Sequence, residues 1–363
     1  MSKNITRNKI LDIARGLAIL FVCAYHIVYT PENDFAYRLS NESIWFAIPF
    51  FFLLSGYLYR VERYNLIYRV KALLIPSLVC TSLLLVIGGA YCMLFHSYTI
   101  NDIFIDFVYT YLRPEFSAKL IPINMNYWDR LLYDVISPVW FIWTLILTLP
   151  VFYFFMRFTS HSFRNLFIIC AVMLLISFML YDYRNYFSWS LTLVPVYAAV
   201  MLAGDYCSGL KLYERLDNSG SYLIALIAFI IHTVMYYFSG SSRAFMNELG
   251  TIGKWSVFTF FIQVFIGSYA FILLCKLLGK IKYVSEFLQF TGRNSLFFMF
   301  LHRPLGVIFS DLLGTYIKSG PTWQVEVNAE VFIYSVIVFI LSIISCSAFA
   351  FIIKNINGGS LSK

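Results

Sequence analysis

The sequence predicts an all-α integral membrane protein, a bundle of about ten transmembrane helices, and three observations predict it. Of the 363 residues 60% are hydrophobic and only 13% charged, about half the charged share of an ordinary soluble domain. The apolar residues fall into long runs separated by polar or basic breaks, and Lys and Arg crowd into alternate breaks. This composition excludes a soluble enzyme, a secreted disulfide scaffold, a disordered regulator and a nucleic-acid-binding module. The net charge of +8 marks topology beside the cytoplasmic leaflet, with the lipid bilayer as partner and no nucleic acid.

A bilayer core about 30 Å thick takes roughly 20 mostly apolar residues per helix. Ten stretches supply them, near 10–29, 43–59, 72–95, 138–156, 165–181, 188–204, 221–238, 255–275, 294–313 and 329–353, the second short and the sixth weakly apolar. The first is a helix rather than a cleaved signal, since Lys3, Arg7 and Lys9 precede it, Arg15 interrupts it and no small-residue cleavage pattern follows. Ten spans put both termini on one side. The segments on that side hold seventeen Lys and Arg and the opposite segments eight, so both termini are expected in the cytoplasm. The longest opposite segment, 96–137, carries aromatic stretches such as FIDFVYTYL suited to a short interfacial helix. A single transmembrane domain over 1–363, with no soluble domain, is the expected organisation. Seven cysteines are scattered through apolar runs without metal-ligand or CxxC spacing and read as small core residues.

An ionisable side chain within a span is costly unless it faces a partner or water, so each is a functional candidate. In the first span Asp12 and Arg15 stand one turn apart, where they can pair. His26 follows Arg15 by eleven residues, roughly 16 Å along the axis and nearly on the same face. Imidazole exchanges a proton near neutral pH, although a lone membrane histidine also serves as a helix–helix hydrogen-bonding group. The second span, IPFFFLLSGYLYR, combines Pro49, Ser55 and Gly56, a pattern of bent helix and close backbone approach. Arg63, Arg69 and Lys71 lead into the third span; they suit both cytoplasmic topology and phosphate binding. In the ninth, GRNSLFFMFLHRP sets His302 and Arg303 just before Pro304, facing the same interior as His26 or bonded to a neighbouring helix. PVWFIWTLIL opens the fourth span, with Trp140 and Trp143 placed as aromatic-belt anchors. His96, His161 and His232 lack metal-ligand spacing, and no Walker A, dinucleotide, HExxH or GxSxG motif occurs.

Together these segments resemble the acyltransferase-3 family of membrane acyltransferases, of the bacterial surface-polysaccharide O-acetyltransferase type. LDIARGLAILFVCAYH is similar to the family's first helix, with Arg15 and His26 in its Arg-to-His spacing; IPFFFLLSGYLYR, RVKALLIPSL, PVWFIWTLIL and GRNSLFFMFLHRPL resemble later segments in the expected order. The chain departs from the pattern at Ala72, where members often carry a second basic residue, leaving Lys71 as the substitute.

The resemblance implies acyl transfer from cytoplasmic acyl-CoA, acetyl-CoA above all, to a hydroxyl of a surface glycan such as O-antigen or exopolysaccharide, free or lipid-linked, in the bacterial inner membrane. Arg15, Arg69 and Lys71 would hold the donor's phosphates. His26 would act as general base, with His302 orienting the acceptor or stabilising the oxyanion, and no metal is implied. Direct transfer and a covalent acyl-enzyme both stay open. A multi-span transporter or flippase would also show embedded charges and bent helices, but the chain has no two-half symmetry. A lipid-linked glycan polymerase would need basic residues on the outer side, where segment 96–137 has Arg113, Lys119 and Arg130 against five acidic residues.

Overall fold

The computed structural model describes residues 8–28, 47–59, 65–95, 99–101, 103–104, 140–159, 162–183, 191–211, 213, 219–239, 253–313 and 329–356. Among the described residues the chain is all helical. Seven helical stretches are long and apolar enough to cross a membrane: Lys9–Ile27, Leu66–Tyr91, Phe141–Thr159, Phe163–Tyr183, Leu191–Gly209, Gly253–Leu278 and Val331–Ile353. Three shorter apolar helices, Ala47–Tyr57, Gly220–Met235 and Ser295–Ser310, fall where the second, seventh and ninth spans are expected. Most of segment 96–137, the beginning of the second expected span and both chain ends lie outside the described residues.

The helices are α1 (Lys9–Ile27), α2 (Ala47–Tyr57), α3 (Leu66–Phe95), α4 (Trp140–Thr159), α5 (Phe163–Leu180), α6 (Val194–Gly209), α7 (Ser219–Ser239), α8 (Ser256–Leu278), α9 (Lys282–Arg293), α10 (Ser295–Leu312) and α11 (Ala329–Ile356). Asn8 starts α1 as an N-cap, its side chain accepting from the amides of Ile10 and Leu11. α5 runs antiparallel to α6 and to α8, and α7 antiparallel to α8. Asp182, just beyond α5, meets Lys254, just before α8, at 3.8 Å. At the opposite end the ring of Phe163, opening α5, lies 6.0 Å from that of Tyr206 near the close of α6, and Tyr269, late in α8, donates to the Ser221 carbonyl at the start of α7.

The helices sort into an inner and an outer set by composition of their faces. α2 is apolar all round and buried nearly all round, as a helix enclosed by others must be. Its approach to α6 is at backbone distance: a Cβ on Gly56 would collide with the Met201 carbonyl, and one on Gly204 with the Leu53 carbonyl. The expected close approach at Gly56 is thus present. Phe52 stacks on Tyr197 of α6 with ring centres 3.9 Å apart, sealing the middle of the bundle. By contrast α3, α5, α7 and α11 expose Val79, Val86, Phe167, Met179, Leu223, Ile230, Ile344 and Phe351, an apolar outer surface that suits lipid. Trp143, expected as a belt anchor, is instead buried. It belongs to the bundle core rather than the membrane boundary.

The helix α9 is the element the apolar runs do not show. Its twelve residues include Lys282, Glu286, Gln289 and Arg293, and it buries only the stripe Ser285, Leu288, Thr291 and Gly292. That stripe lies along α1, backbone to backbone. A Cβ on Gly16 would meet the Leu288 carbonyl, and one on Gly292 the carbonyl of Asp12. The turn 279–281 joins α9 to α8, and Asn294, donating to the Phe290 carbonyl at 2.8 Å, joins it to α10. These short connections fix α10 beside α1.

Candidate active site

The site is built where α1 and α10 run side by side. α1 is continuous from Lys9 to Ile27, so Arg15 and His26 keep their roughly 16 Å axial separation. His26 lies in the last turn of α1, half-buried. Its imidazole meets two consecutive residues of α10. The Arg303 guanidinium donates to His26 Nδ1 at 2.8 Å, and the rings of His26 and His302 have centres 5.4 Å apart, inclined by 39°. Tyr25 presents its edge to the His26 ring with centres 5.2 Å apart. The structure therefore brings His26 and His302 together, and adds Arg303, noted beside His302 in the sequence but without a role.

Pro304 sits inside α10 without ending it. It carries no amide hydrogen, so the carbonyl four residues earlier lacks its helical donor. One position before Arg303, His302 is fully buried. Its Nδ1 lies 2.7 Å from the Phe298 carbonyl. Its Nε2 is enclosed without a hydrogen-bond partner. A buried polar atom left in this condition costs about 1–3 kcal/mol, and a native structure keeps one for a reason, such as a place for substrate.

The hydrogen-bond partners settle both tautomers. A guanidinium only donates, so His26 Nδ1 accepts and the neutral ring carries its proton on Nε2. A carbonyl only accepts, so His302 Nδ1 carries the proton and its Nε2 holds the lone pair. One ring offers an N–H and its neighbour offers a base.

Asp12, one turn from Arg15 on α1, is buried and bonded by Arg293 of α9, Nε to Oδ2 at 3.3 Å. Arg293 also reaches Gln289. Arg15, one turn from Asp12, is half-buried at the same end of the bundle. Arg69 lies over the Tyr59 ring at 4.4 Å and reaches the Leu58 carbonyl at 3.5 Å, so it closes the C-terminus of α2, where a cation is favoured. Lys71 is exposed. Two residues along an α-helix turn it about 200° from Arg69, onto the face that carries exposed Ile67, Tyr68 and Ile75. Arg69 and Lys71 therefore stand on different faces of α3.

Between Arg15 and His26 the shared face of α1 passes through Ala18, Ile19 and Val22, none more than 3% exposed. That stretch is packed with protein, and a substrate reaching His26 along it has to part α1 from its neighbours.

A family model described as an acyltransferase domain matches residues 8–350. The chain belongs to the acyltransferase-3 family. The match takes in every described helix from α1 to all but the end of α11, and with it Arg15, His26, Arg69, His302 and Arg303. A search of curated proteins and a search of solved structures each returned no match. As a member of the acyltransferase-3 family with several membrane-length apolar helices, the protein is an acyltransferase of the membrane.

Two site features escaped the sequence. The Arg303–His26 bond joins residues 277 positions apart, and only the polar doublet in an apolar run hinted at it. Arg293 falls between two expected spans, in α9, which no long apolar run announces; the local signal is the apolar recurrence at Val284 and Leu288.

Proposed function

We propose that this acyltransferase moves an acetyl or other acyl group from cytoplasmic acyl-CoA to a hydroxyl of a surface glycan, free or lipid-linked, within the bacterial cytoplasmic membrane. The observation that carries the proposal is the group formed by His26, His302 and Arg303. Acyl transfer from a thioester needs a proton acceptor for the attacking hydroxyl and a donor for the oxyanion, and two oppositely protonated imidazoles 5.4 Å apart offer both. Their position supports donor and acceptor arriving from different faces. Arg15 stands roughly 16 Å toward the end where the chain begins, a separation that a pantetheine arm spans.

In this reading the bundle has ten spans with both termini cytoplasmic, the whole forming one membrane domain. The excess of Lys and Arg on alternate segments supports it. Arg15 receives the donor's phosphates, with Arg69 at the rim if its hold on α2 loosens; Lys71, turned outward, faces the lipid headgroups. The donor's acyl carbon reaches the imidazole pair, the acceptor hydroxyl attacks it, and coenzyme A leaves as the thiol.

The test is incubation of membranes carrying the protein with radiolabelled acetyl-CoA and the host's surface glycan. Wild type is expected to label the glycan, and His26→Ala and Arg15→Ala to lose that label. Transfer that survives both changes refutes the site. Transport of an unmodified glycan, with no acetyl incorporated into any acceptor, refutes the reaction. A topology reporter fused after Lys363 checks the ten spans, and a signal from outside the cell contradicts them.

A further inference from the structure

We propose that the two imidazoles divide the proton work in the reverse of the order the family resemblance implies: His302 Nε2 is the proton acceptor, and the Nε2–H of His26, held in that tautomer by Arg303, binds the oxyanion. The proposal deepens the acyltransferase reading and rests on it. Three contacts lead to it. Arg303 has no proton to accept and five to give, so its 2.8 Å bond to His26 Nδ1 occupies the one lone pair of a neutral His26 ring. While that bond stands His26 cannot take a proton from a hydroxyl. His302 has the opposite arrangement, its Nδ1–H spent on the Phe298 carbonyl and its Nε2 lone pair buried without a donor. Neither ring can exchange roles without breaking a bond of under 3 Å.

The step balances with these roles. The acceptor oxygen bonds to the thioester carbonyl carbon as its proton passes to His302 Nε2. The carbonyl oxygen becomes an oxyanion and accepts from the Nε2–H of His26, whose ring Arg303 keeps from turning. The C–S bond then breaks with its electron pair going to sulfur. The thiolate takes the proton from His302, which leaves an ester, coenzyme A thiol and both rings as they began. Arg303 touches no reacting atom and is a positioning residue. Its cation one ring away also favours the negative charge that develops at the oxyanion. The enclosed His302 Nε2 means that acceptor and thioester enter as α1 and α10 part, so the base meets the hydroxyl only when substrate has displaced the packing.

The experiment has a spectroscopic arm and a kinetic arm, both on the full chain in lipid nanodiscs. Nitrogen-15 resonances of histidine, assigned with single His→Gln variants, report which ring nitrogen holds the proton. We expect Nε2–H for His26 and Nδ1–H for His302, with the His26 signal alone changing in Arg303→Gln. His26 protonated on Nδ1 in the wild type overturns the division. For kinetics the probes are acetyl-CoA and the host's purified surface glycan. Glutamine places an amide donor near the site of Nε2–H but cannot act as a base. His26→Gln is expected to lose less than the roughly 10²–10³-fold of a missing oxyanion donor, while keeping the fall of rate on the acid side of the pH profile. His302→Gln is expected to lose about 10²–10⁴-fold, the scale of general-base catalysis, and that acid-side fall with it. The acid-side fall disappearing in His26→Gln and persisting in His302→Gln overturns the proposal and leaves the acyltransferase reading intact. A wild type that acetylates nothing overturns both. Should His302→Gln fail to accumulate, the wild-type and Arg303→Gln spectra decide alone.

Discussion

Replacing Gly292 by alanine tests whether α9 is locked to α1 at backbone distance. The added Cβ would overlap the Asp12 carbonyl oxygen and stand 2.9 Å from both the Asp12 carbonyl carbon and the Gly16 amide nitrogen. All three are backbone atoms of a continuous helix and cannot rotate aside. Carbon atoms rest at about 3.5–4.0 Å, and with the carbonyl oxygen closer still α9 must retreat by more than about 1 Å. Arg293 is the next residue, and the same retreat takes its 3.3 Å bond to Asp12 to roughly 4 Å or more, past hydrogen-bonding range. Asp12 is 3% exposed, so its carboxylate is left in the protein with a weakened partner. Overpacking of this kind costs about 1–3 kcal/mol. An imperfectly paired buried polar group costs about 1–3 kcal/mol more, and the half-exposed Arg293 side chain argues for the lower part of that range. The sum is about 2–5 kcal/mol. Thermal unfolding in detergent, followed by the fraction that stays monodisperse after heating, reads this loss, with Glu286→Ala on the exposed face of α9 as the reference. If Gly292→Ala unfolds with the reference, and Asp12→Asn then costs as much in the variant as in wild type, the backbone contact described here is wrong.

Three further outcomes follow from the same packing. Arg303→Lys is expected to cost about 10-fold or more in turnover with the protein intact, because an ammonium cannot reproduce the planar guanidinium contact with the imidazole; steady-state kinetics beside a folding assay check it. Arg15→Ala is expected to raise the KM for acyl-CoA while Lys71→Ala leaves it within about twofold, since Lys71 faces outward from α3 and surface charges of that kind contribute little; equal effects would contradict the placement. Trp143→Ala removes a buried aromatic from the α4 core, at an expected cost of about 3–5 kcal/mol, and a stability near wild type would return that side chain to the lipid boundary.

The sequence was most informative where its signal is local and repetitive. Runs such as those of α1, α8 and α11 announce themselves because lipid demands some twenty apolar residues in a row. The eleven-residue step from Arg15 to His26 is an exact consequence of helix pitch once the helix is granted. Cross-helix facts are different in kind. Nothing near Arg303 states that its partner lies in the first helix, and nothing near Asp12 names Arg293. The helix α9 was hidden because it is only half apolar, and in a chain this rich in hydrophobic residues a modest stripe among charges reads as a loop. Arg69 and Lys71 show the same limit, since two charges close together in the sequence are turned by the helix to different sides of α3. Trp143 misled for a similar reason, since an aromatic residue near the start of a span suits both the boundary and the core, and only the facing of α4 decides.

The filled face at Ala18, Ile19 and Val22 carries a consequence for the cell. On the proposed function one reactant comes from each compartment, and an unbroken file of water from Arg15 to the histidines would then let protons short-circuit the gradient on which the cell lives. Tightly interlocked methyl groups at that level are an insulator, breached only while a guest chain fills the breach itself.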